Sequence, residues 1–318
     1  MNATATAAIA LLIITPAQSA PAPRAAYDET AGRATITEDG RPLLTYHYQT
    51  VPVPPAFSNG SSPPNKYAVA RGNYIHPLCG LDGTPLTSDW NNDHPHHRGI
   101  YWAWPEVRFG GETGDLHALQ RVWARPTGNI ATRQGGNWAE VEAENRWMWE
   151  DKTPIVRETA IIRAWQTGPH GRHIDLTLRF EALLPEVTLA RRGTVHYGGL
   201  NIRLARIDDL RLLHHADPEG ASPRMAWQAA TGRWRGAETP ATLTVFESAA
   251  NPGYPADYIE YPDLPWFQPT FPRAGARQAL EPGRPLTLRY RVWIRSGAPP
   301  AADEMREQWA NHQQPTTP

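Results

Sequence analysis

The sequence NWAEVEAENRWMW, residues 137–149, alternates between two kinds of side chain with a period of two. The first set contains Val141, Ala143, Asn145, Trp147 and Trp149, and the second contains Glu140, Glu142, Glu144 and Arg146. Successive side chains of a β-strand point to opposite faces of its sheet, so the pattern predicts a strand with one buried face. We interpret the acidic set as the solvated face.

Similar segments occur on both sides of this strand. The other predicted strands are 34–37, 43–48, 67–75, 100–104, 155–165, 173–182, 195–205, 241–247 and 286–295. The first two flank the turn-forming residues 38–42, which is typical of a hairpin. The 32 prolines and 25 glycines divide the chain into short segments, which favours strands and turns over long helices. We therefore predict an all-β fold, a large antiparallel β-sandwich with a short C-terminal helix.

The two ends of the chain have their own character. A short apolar run at residues 7–14, followed by small residues, predicts a signal peptide over residues 1–22 and an exported protein, periplasmic or secreted. Residues 23–300 are predicted to form a single β-sandwich domain. Residues 301–318 are predicted to form the C-terminal helix and a frayed tail.

Composition excludes several classes of function. The net charge of −1 gives no electrostatic basis for binding nucleic acid or an anionic membrane, and no segment predicts membrane insertion. The single cysteine, Cys79, excludes an intrachain disulfide. The sequence contains neither a phosphate-binding P-loop nor a Gly-x-Ser-x-Gly nucleophile motif.

The segment NNDHPHHRG, residues 91–99, is the strongest candidate site. It brings together Asp93, His94, His96, His97 and Arg98. Imidazole titrates near neutral pH and can act as a general acid or base, and a guanidinium can hold a carboxylate. In an extended segment the first two histidines would point to one side and the third to the other. The alternative is an exposed polar loop, which the aromatic residues on both sides of the segment make less favourable.

The same histidines could also coordinate a divalent metal ion. Two histidines at i and i+2, with a distant third ligand, form metal sites in β-sheets. However, the sequence has no specific ligand spacing such as His-x-x-x-His. We therefore predict no cofactor, and a divalent metal at the histidine cluster stays open.

Two other segments are weaker candidates. Residues 71–77 contain Arg71 and His76 at loop positions, where sites gather, although both could serve only in local structure. Residues 247–255 contain Glu247, Asn251 and Tyr254 after a predicted strand. Glu247 could be an acid or base and Asn251 could bind a hydroxyl group, while the alternative is a plain turn.

The 13 tryptophans suggest a class of ligand. Flat aromatic faces such as that of Trp102 stack on sugar rings, and arginines such as Arg203 bind sugar hydroxyls. The alternative is that most of the tryptophans fill the core.

Five segments resemble the domain family named "methane oxygenase PmoA-like". They are YIHPL at 74–78, DHPHHRGIYWAW at 93–104, YGGLNIR at 197–203, NPGYP at 251–255 and LTLRYRV at 286–292. The resemblance implies a secreted bacterial β-sandwich protein of polysaccharide-degrading contexts, rather than the membrane protein of that name. In its size and strand-rich pattern, the chain is also similar to the galactose-mutarotase-like supersandwich, at the level of fold only. The chain departs from the family pattern at Tyr197, where relatives carry an acidic residue, and at residues 257–258, where relatives carry Trp-His.

The resemblance implies site roles for His94, His96, His97, Arg98, Arg203 and Asn251. Together with the residue chemistry, it predicts a carbohydrate-active enzyme: a hydrolase, lyase or epimerase that uses general acid–base chemistry. His96 or His97 would move the proton, with Asp93 or Glu247 as the carboxylate partner. The predicted substrate contacts are Arg71, His76, Trp102, Arg203, Asn251 and Tyr254. A non-catalytic carbohydrate-binding protein and a metal-dependent hydrolase or oxygenase are the alternatives.

Overall fold

The computed structural model describes residues 21–58 and 66–314. The predicted signal peptide lies outside the described residues except for its last two positions, as do the last four residues of the predicted C-terminal tail. Among the described residues, no helix combines the length and the apolar character that crossing a bilayer requires.

The described chain is dominated by antiparallel β-sheet, as the sequence predicts. The strands are β1 Arg24–Asp28, β2 Arg33–Glu38, β3 Arg41–His47, β4 Tyr74–Leu78, β5 Ile100–Ala103, β6 Glu106–Phe109, β7 Glu112–Gly114, β8 Val122–Gln134, β9 Trp138–Trp149, β10 Thr153–Trp165, β11 Arg172–Ala182, β12 Val187–Ala190, β13 Gly199–Arg203, β14 Ile207–Ala216, β15 Ala226–Trp234, β16 Ala241–Glu247, β17 Tyr258–Tyr261, β18 Trp266–Pro269, β19 Gln278–Leu280 and β20 Leu286–Ser296. The helices are α1 Pro55–Ser58, a 3-10 turn at Arg192–Thr194 and α2 Ala302–Gln313.

The described strands form two large sheets and one small one. The first sheet has the order β1-β2-β3-β4-β5-β13-β18-β17, and the second has the order β14-β15-β16-β20-β11-β10-β9-β8. The small sheet has the order β19-β12-β6-β7. One continuous apolar core takes side chains from both large sheets, so the predicted sandwich is confirmed.

The alternation at residues 137–149 is borne out by strand β9. Val141, Ala143 and Trp147 are buried in the core. Glu140 is the exception on the opposite face, because it is buried and accepts hydrogen bonds from Arg133 Nη1 (3.0 Å) and Arg163 Nε (2.9 Å). The predicted solvated face is therefore closed at one end by ion pairs.

The hairpin predicted around residues 38–42 is formed by β2 and β3. Asp39 and Gly40 at its tip both have positive φ, at 51° and 71°. Two successive residues of positive φ suit the right-handed twist of the flanking strands, and Asp-Gly is a favoured pair for this turn.

Two predicted strands are shorter than expected. Within 67–75 the chain is irregular until Tyr74, where β4 begins. Within 195–205 the strand begins only at Gly199, after the 3-10 turn at Arg192–Thr194. The longest departure is β8 at Val122–Gln134, a strand that the sequence analysis does not predict.

A carboxylate lies in the middle of the sandwich. Glu158 is fully buried. Its Oε1 accepts hydrogen bonds from Asn73 Nδ2 and Trp102 Nε1, both at 2.6 Å, and its Oε2 accepts one from Trp147 Nε1 at 2.5 Å. Burial raises the pKa of Glu158, although these three donors oppose the shift. Trp102, predicted to bind substrate, instead holds a core carboxylate.

Candidate active site

The histidine segment folds into a compact loop between β4 and β5. The backbone N–H of His97 donates to the carbonyl of His94 at 2.9 Å, so the segment is turned rather than extended. The expectation that His97 would point away from His94 and His96 is therefore wrong. Gly99 closes the loop with a φ of 57°, and a Cβ there would lie 2.1 Å from the carbonyl oxygen of Ile75. Only glycine can pack this closely against β4.

The three histidines line a pocket of about 260 Å³. Its walls are formed by His94, His96, His97, His117, Tyr197, Tyr261, Leu264 and Trp266. The residues come from four separate loops or strand ends, which lie together because β5, β13 and β18 are neighbours in the first sheet. The pocket thus has an imidazole wall and a largely aromatic wall.

The inner part of the imidazole wall is a buried triad of His96, His97 and His117. The ring centroids of His96 and His97 lie 4.5 Å apart, and each lies 5.3 Å from that of His117. Burial is the main cause that lowers the pKa of His96, to about 3, with a further contribution from Arg71. Burial also lowers the pKa values of His97 and His117 well below the ordinary range, and the neighbouring imidazoles add to the effect. All three rings are therefore neutral at physiological pH.

His117 is a site residue that was not predicted from the sequence. It lies between β7 and β8, among apolar neighbours. Its Nε2 is 3.0 Å from the hydroxyl of Tyr101 and 3.2 Å from Oδ1 of Asn201. Asn201 is oriented by Gln268, whose Nε2 donates to the same oxygen at 2.7 Å, and by its own Nδ2, which donates to the carbonyl of Gly199 at 2.9 Å. Because that oxygen only accepts, Nε2 of His117 carries the ring proton.

The outer part of the imidazole wall combines His94 with an ion pair. Nη2 of Arg203 donates to both carboxylate oxygens of Asp93, at 2.8 and 3.0 Å. Nδ1 of His94 lies 3.4 Å from Oδ2 of Asp93. Partial burial alone would raise the pKa of Asp93, but the hydrogen bonds and charge of Arg203 outweigh it and lower that pKa overall. Asp93 is thus a fixed carboxylate beside the ring of His94, although Nδ1 of His94 makes no hydrogen bond among the described residues.

Arg71 supports the site from behind rather than facing substrate. Its buried Nη1 donates to the carbonyl of His96 at 2.9 Å and to that of His117 at 3.3 Å. Nη2 donates to the carbonyl of Leu116 at 3.4 Å, and the guanidinium lies 4.7 Å from the ring centre of Tyr101. Arg71 therefore ties together the two loops that carry the buried triad.

Arg98 and His76 also point away from the pocket. Arg98 is fully buried; its Nε donates to Asp89, and its Nη2 donates to Asp89 and to the hydroxyl of Tyr74. Its guanidinium lies 3.8 Å from the ring centre of Trp90. Nδ1 of His76 is 3.1 Å from the hydroxyl of Thr87. The predicted roles of Arg98 in catalysis and of His76 in binding have no support in these contacts, which instead hold the loop in place.

The second predicted segment, 247–255, lies at the end of β16 in the other large sheet. The side chain of Asn251 binds the backbone of Arg289. Its Nδ2 donates to the carbonyl of Arg289 at 2.9 Å, and its Oδ1 accepts from the N–H of Arg289 at 2.7 Å. Glu247 accepts a hydrogen bond from the N–H of Ala256 at 2.7 Å, and Tyr254 donates to the carbonyl of Arg224 at 2.6 Å. Burial raises the pKa of Glu247 to about 7. The structure does not bring Glu247, Asn251 or Tyr254 into the histidine pocket.

The aromatic wall is the other part of the pocket that was not predicted from the sequence. Tyr261 stacks on Trp266 at 5.2 Å between ring centres, and His97 stacks on Trp266 at 5.6 Å. Tyr197 lies against His117 at 5.0 Å. From the sequence, Tyr197 was noted only as a departure from a family pattern. Nothing in the local sequence marks Trp266 as a pocket residue.

A family model matches residues 33–310, which contain every residue of the pocket. The chain belongs to DUF6807, a family of unknown function. The search of curated proteins finds no significant match. The PmoA-like resemblance is untested by the family match and stays a prediction.

Two solved structures are similar to this DUF6807 member at a low level. One is described as "Putative kojibiose phosphorylase from human microbiome", with 9% identity and a TM-score of 0.30 over 67% of this chain and 25% of that one. The other is the 4-alpha-glucanotransferase from Thermococcus litoralis, with 12% identity and a TM-score of 0.28 over 86% of this chain and 39% of that one. This chain thus spans well under two thirds of either protein. Neither similarity carries an argument about function.

The pocket of this DUF6807 member offers two kinds of chemistry. Neutral imidazoles can accept a proton, donate or accept hydrogen bonds, or bind a metal. The aromatic faces of Tyr261 and Trp266 can stack on a flat apolar surface of a ligand. Both walls enclose a space that suits a small molecule rather than a polymer chain in its full width.

Proposed function

We propose that the protein is a carbohydrate-active enzyme whose substrate places one sugar ring in the histidine pocket. The observation that carries the proposal is the pairing of the two walls. The face of a sugar ring is apolar at its C–H bonds and can stack on the aromatic wall. Its hydroxyl groups can exchange hydrogen bonds with the imidazole wall, whose rings are neutral.

His94 is the candidate for proton transfer in this proposal. It is the more exposed histidine of the loop, with 39% of its side chain accessible, and it lines the pocket. Asp93 lies beside Nδ1 and is itself held by Arg203, so the carboxylate favours a proton on Nδ1 and leaves Nε2 to act on the substrate. Nδ1 of His94 makes no hydrogen bond among the described residues, but such contacts often tighten only when substrate binds. A base beside a fixed third group is the arrangement that proton transfer requires.

The residues favour proton transfer at carbon over glycoside hydrolysis. Glycosidases normally use two carboxyl groups that flank the scissile bond. Among the described residues, the pocket lining contains no carboxylate, and the neighbouring Asp93 is bound to Arg203. In a lyase, the proton leaves a sugar carbon for His94, and the C–H electron pair expels the group on the neighbouring carbon. In an epimerase, that carbon regains a proton from its other side.

The test is a screen of the purified protein against plant and bacterial oligosaccharides, including uronates. Ultraviolet absorbance reports unsaturated products, uptake of solvent deuterium reports epimerisation, and new reducing ends report hydrolysis. With an active substrate, His94→Gln should lower kcat by about 100-fold or more, the range typical of general acid–base groups.

The matched control is His170→Gln, because His170 is exposed and pairs with Glu304 beside helix α2, away from the pocket. This variant should keep full activity. Full activity of His94→Gln would remove His94 from the mechanism. Sugar binding without any product would contradict the enzymatic proposal and favour a non-catalytic carbohydrate-binding protein.

Export and family kinship remain part of the proposal. A periplasmic or secreted location fits the predicted signal peptide, and the sugar chemistry fits the PmoA-like resemblance. Fractionation of cells that express the full chain tests the location, since a protein retained with its first 22 residues in the cytoplasm would contradict it.

A further inference from the structure

We infer that His96, His97 and His117 form a binding site for one divalent transition-metal ion of the zinc class. Each ring offers one nitrogen, and the three nitrogens lie within 4.8 Å of one another. The ligands come from two loops, the segment before β5 and the segment before β8. The inference goes beyond the proposed function, because it does not depend on a sugar being the substrate.

The spacing of the nitrogens is close to that of a coordination sphere. Zinc–nitrogen bonds measure about 2.0–2.1 Å, so the ligand atoms of a tetrahedral site lie about 3.4 Å apart. The widest separation would have to shorten by up to about 1.4 Å, from 4.8 Å to that spacing, through rotation of the side chains. The residues therefore fit an ion without a change of fold.

Two buried nitrogens support the site independently. Nδ1 of His96 and Nδ1 of His97 are buried and have no hydrogen-bond partner in the part of the chain that the structure describes. Buried polar atoms are normally paired, and each unpaired one costs about 1–3 kcal/mol. Closing the rings around an ion would give this cluster the interaction that it lacks.

The environment of His117 is that of a metal ligand. Its Nε2 is held by Asn201 and Tyr101, so Nδ1 is the nitrogen that carries the lone pair. Metal-binding histidines almost always donate their other N–H to a fixed acceptor, which sets the tautomer. Arg71 adds support from the backbone, since it bridges the carbonyls of His96 and His117.

The three nitrogen ligands and the nearby charges narrow the class of ion that the site could bind. Neutral imidazoles bind zinc, copper, nickel and iron, whereas calcium and magnesium need oxygen ligands. Arg71 and Arg203 oppose a cation, and Asp93 offsets the charge of Arg203. Three protein ligands leave a coordination position open, as in catalytic rather than structural zinc sites.

The test measures zinc binding and not turnover. The chelator-treated full chain is dialysed against Zn²⁺ and analysed for bound metal, and the affinity is measured by calorimetry. We expect one equivalent of zinc, no binding of Ca²⁺ or Mg²⁺, and a loss of affinity of about 100-fold or more in each of His96→Ala, His97→Ala and His117→Ala. His170→Ala should bind as the unchanged protein does, and His94→Ala should stay within about threefold, because His94 is not one of the three ligands.

Several outcomes would overturn the inference. They are less than a tenth of an equivalent of zinc in the unchanged protein, full affinity in the three variants, or an equal loss in His170→Ala. Circular dichroism checks that each variant folds, and if His117→Ala does not, His96→Gln and His97→Gln on the loop decide the matter alone. Sugar turnover by a protein that binds no zinc overturns only the metal site. Zinc binding without turnover on any sugar contradicts only the proposed function.

Discussion

Two buried polar clusters of this sandwich differ in how their atoms are paired. Glu158 lies in the core, and both its oxygens accept hydrogen bonds from indole or amide donors. In the triad, His96 and His97 each keep a buried Nδ1 without a partner among the described residues. A polar group that is buried and satisfied stabilises one structure, whereas buried groups left unpaired at a pocket have a use that the fold itself does not explain.

Arg98 lies on the histidine loop itself and combines both features, because its Nε and Nη2 are hydrogen-bonded while its buried Nη1 has no partner among the described residues. It follows directly after His97 in the sequence, yet its guanidinium is held by Asp89 and Tyr74 and lies over Trp90. Adjacent residues thus have different duties, Arg98 in the structure of the loop and His97 in the pocket. Substitutions that test this division differ in their expected effect on stability.

The largest effect is expected for Arg98→Ala. The substitution leaves Asp89, only 13% exposed, without its partner, and breaking a buried ion pair costs about 3–5 kcal/mol. Denaturant unfolding measures the loss. The control is Arg284→Ala, which breaks an exposed pair with Glu281 and should cost less than about 1 kcal/mol. A loss of similar size in both variants would show that Arg98 is not structural.

A smaller loss is expected for Glu158→Gln. The amide places an N–H₂ group where an oxygen now accepts from Trp102 and Asn73 or from Trp147, so at least one donor then faces another donor. An unsatisfied buried group costs about 1–3 kcal/mol. Glu281→Gln on the surface should be neutral in the same unfolding experiment. Zinc binding should persist in the folded Glu158→Gln protein, and its loss would mean that the two clusters are coupled.

The sequence predicts the two clusters unequally, for physical reasons. Period-two alternation identifies strands such as β9, and β16 is predicted with its observed bounds, Ala241–Glu247. Alternation also shows which residues are buried, but not what a buried polar group binds. The hydrogen-bond partners of Asn145 and Glu158 therefore cannot be predicted until the packing of the two sheets is known.

The site follows the same rule. His94, His96 and His97 are recognisable because they are neighbours in the sequence. His117 joins them from a loop some distance along the chain, and Trp266 arrives through the order β5-β13-β18, which no local pattern contains. Arg98 and Trp102 are misassigned because the direction of a side chain is set by the turn and the register, and a step of one residue reverses it.

The smallest effect on stability is expected for His97→Leu, and this variant separates the clusters most clearly. Leucine removes a buried nitrogen that has no partner and fills the space beside Trp266, so the free energy of unfolding should stay within about 1 kcal/mol or rise, while zinc binding is lost.

The control is His173→Leu: burial also lowers the pKa of His173, to about 4, but its Nε2 is paired with Gln308 at 2.8 Å. That variant leaves the buried Gln308 unsatisfied and should lose about 1–3 kcal/mol. Both substitutions put leucine in place of a histidine whose pKa is lowered by burial, with His97 buried and His173 partly buried, and the two rings differ in their pairing. Equal losses in the two variants would mean that pairing does not distinguish structural from functional histidines in this protein.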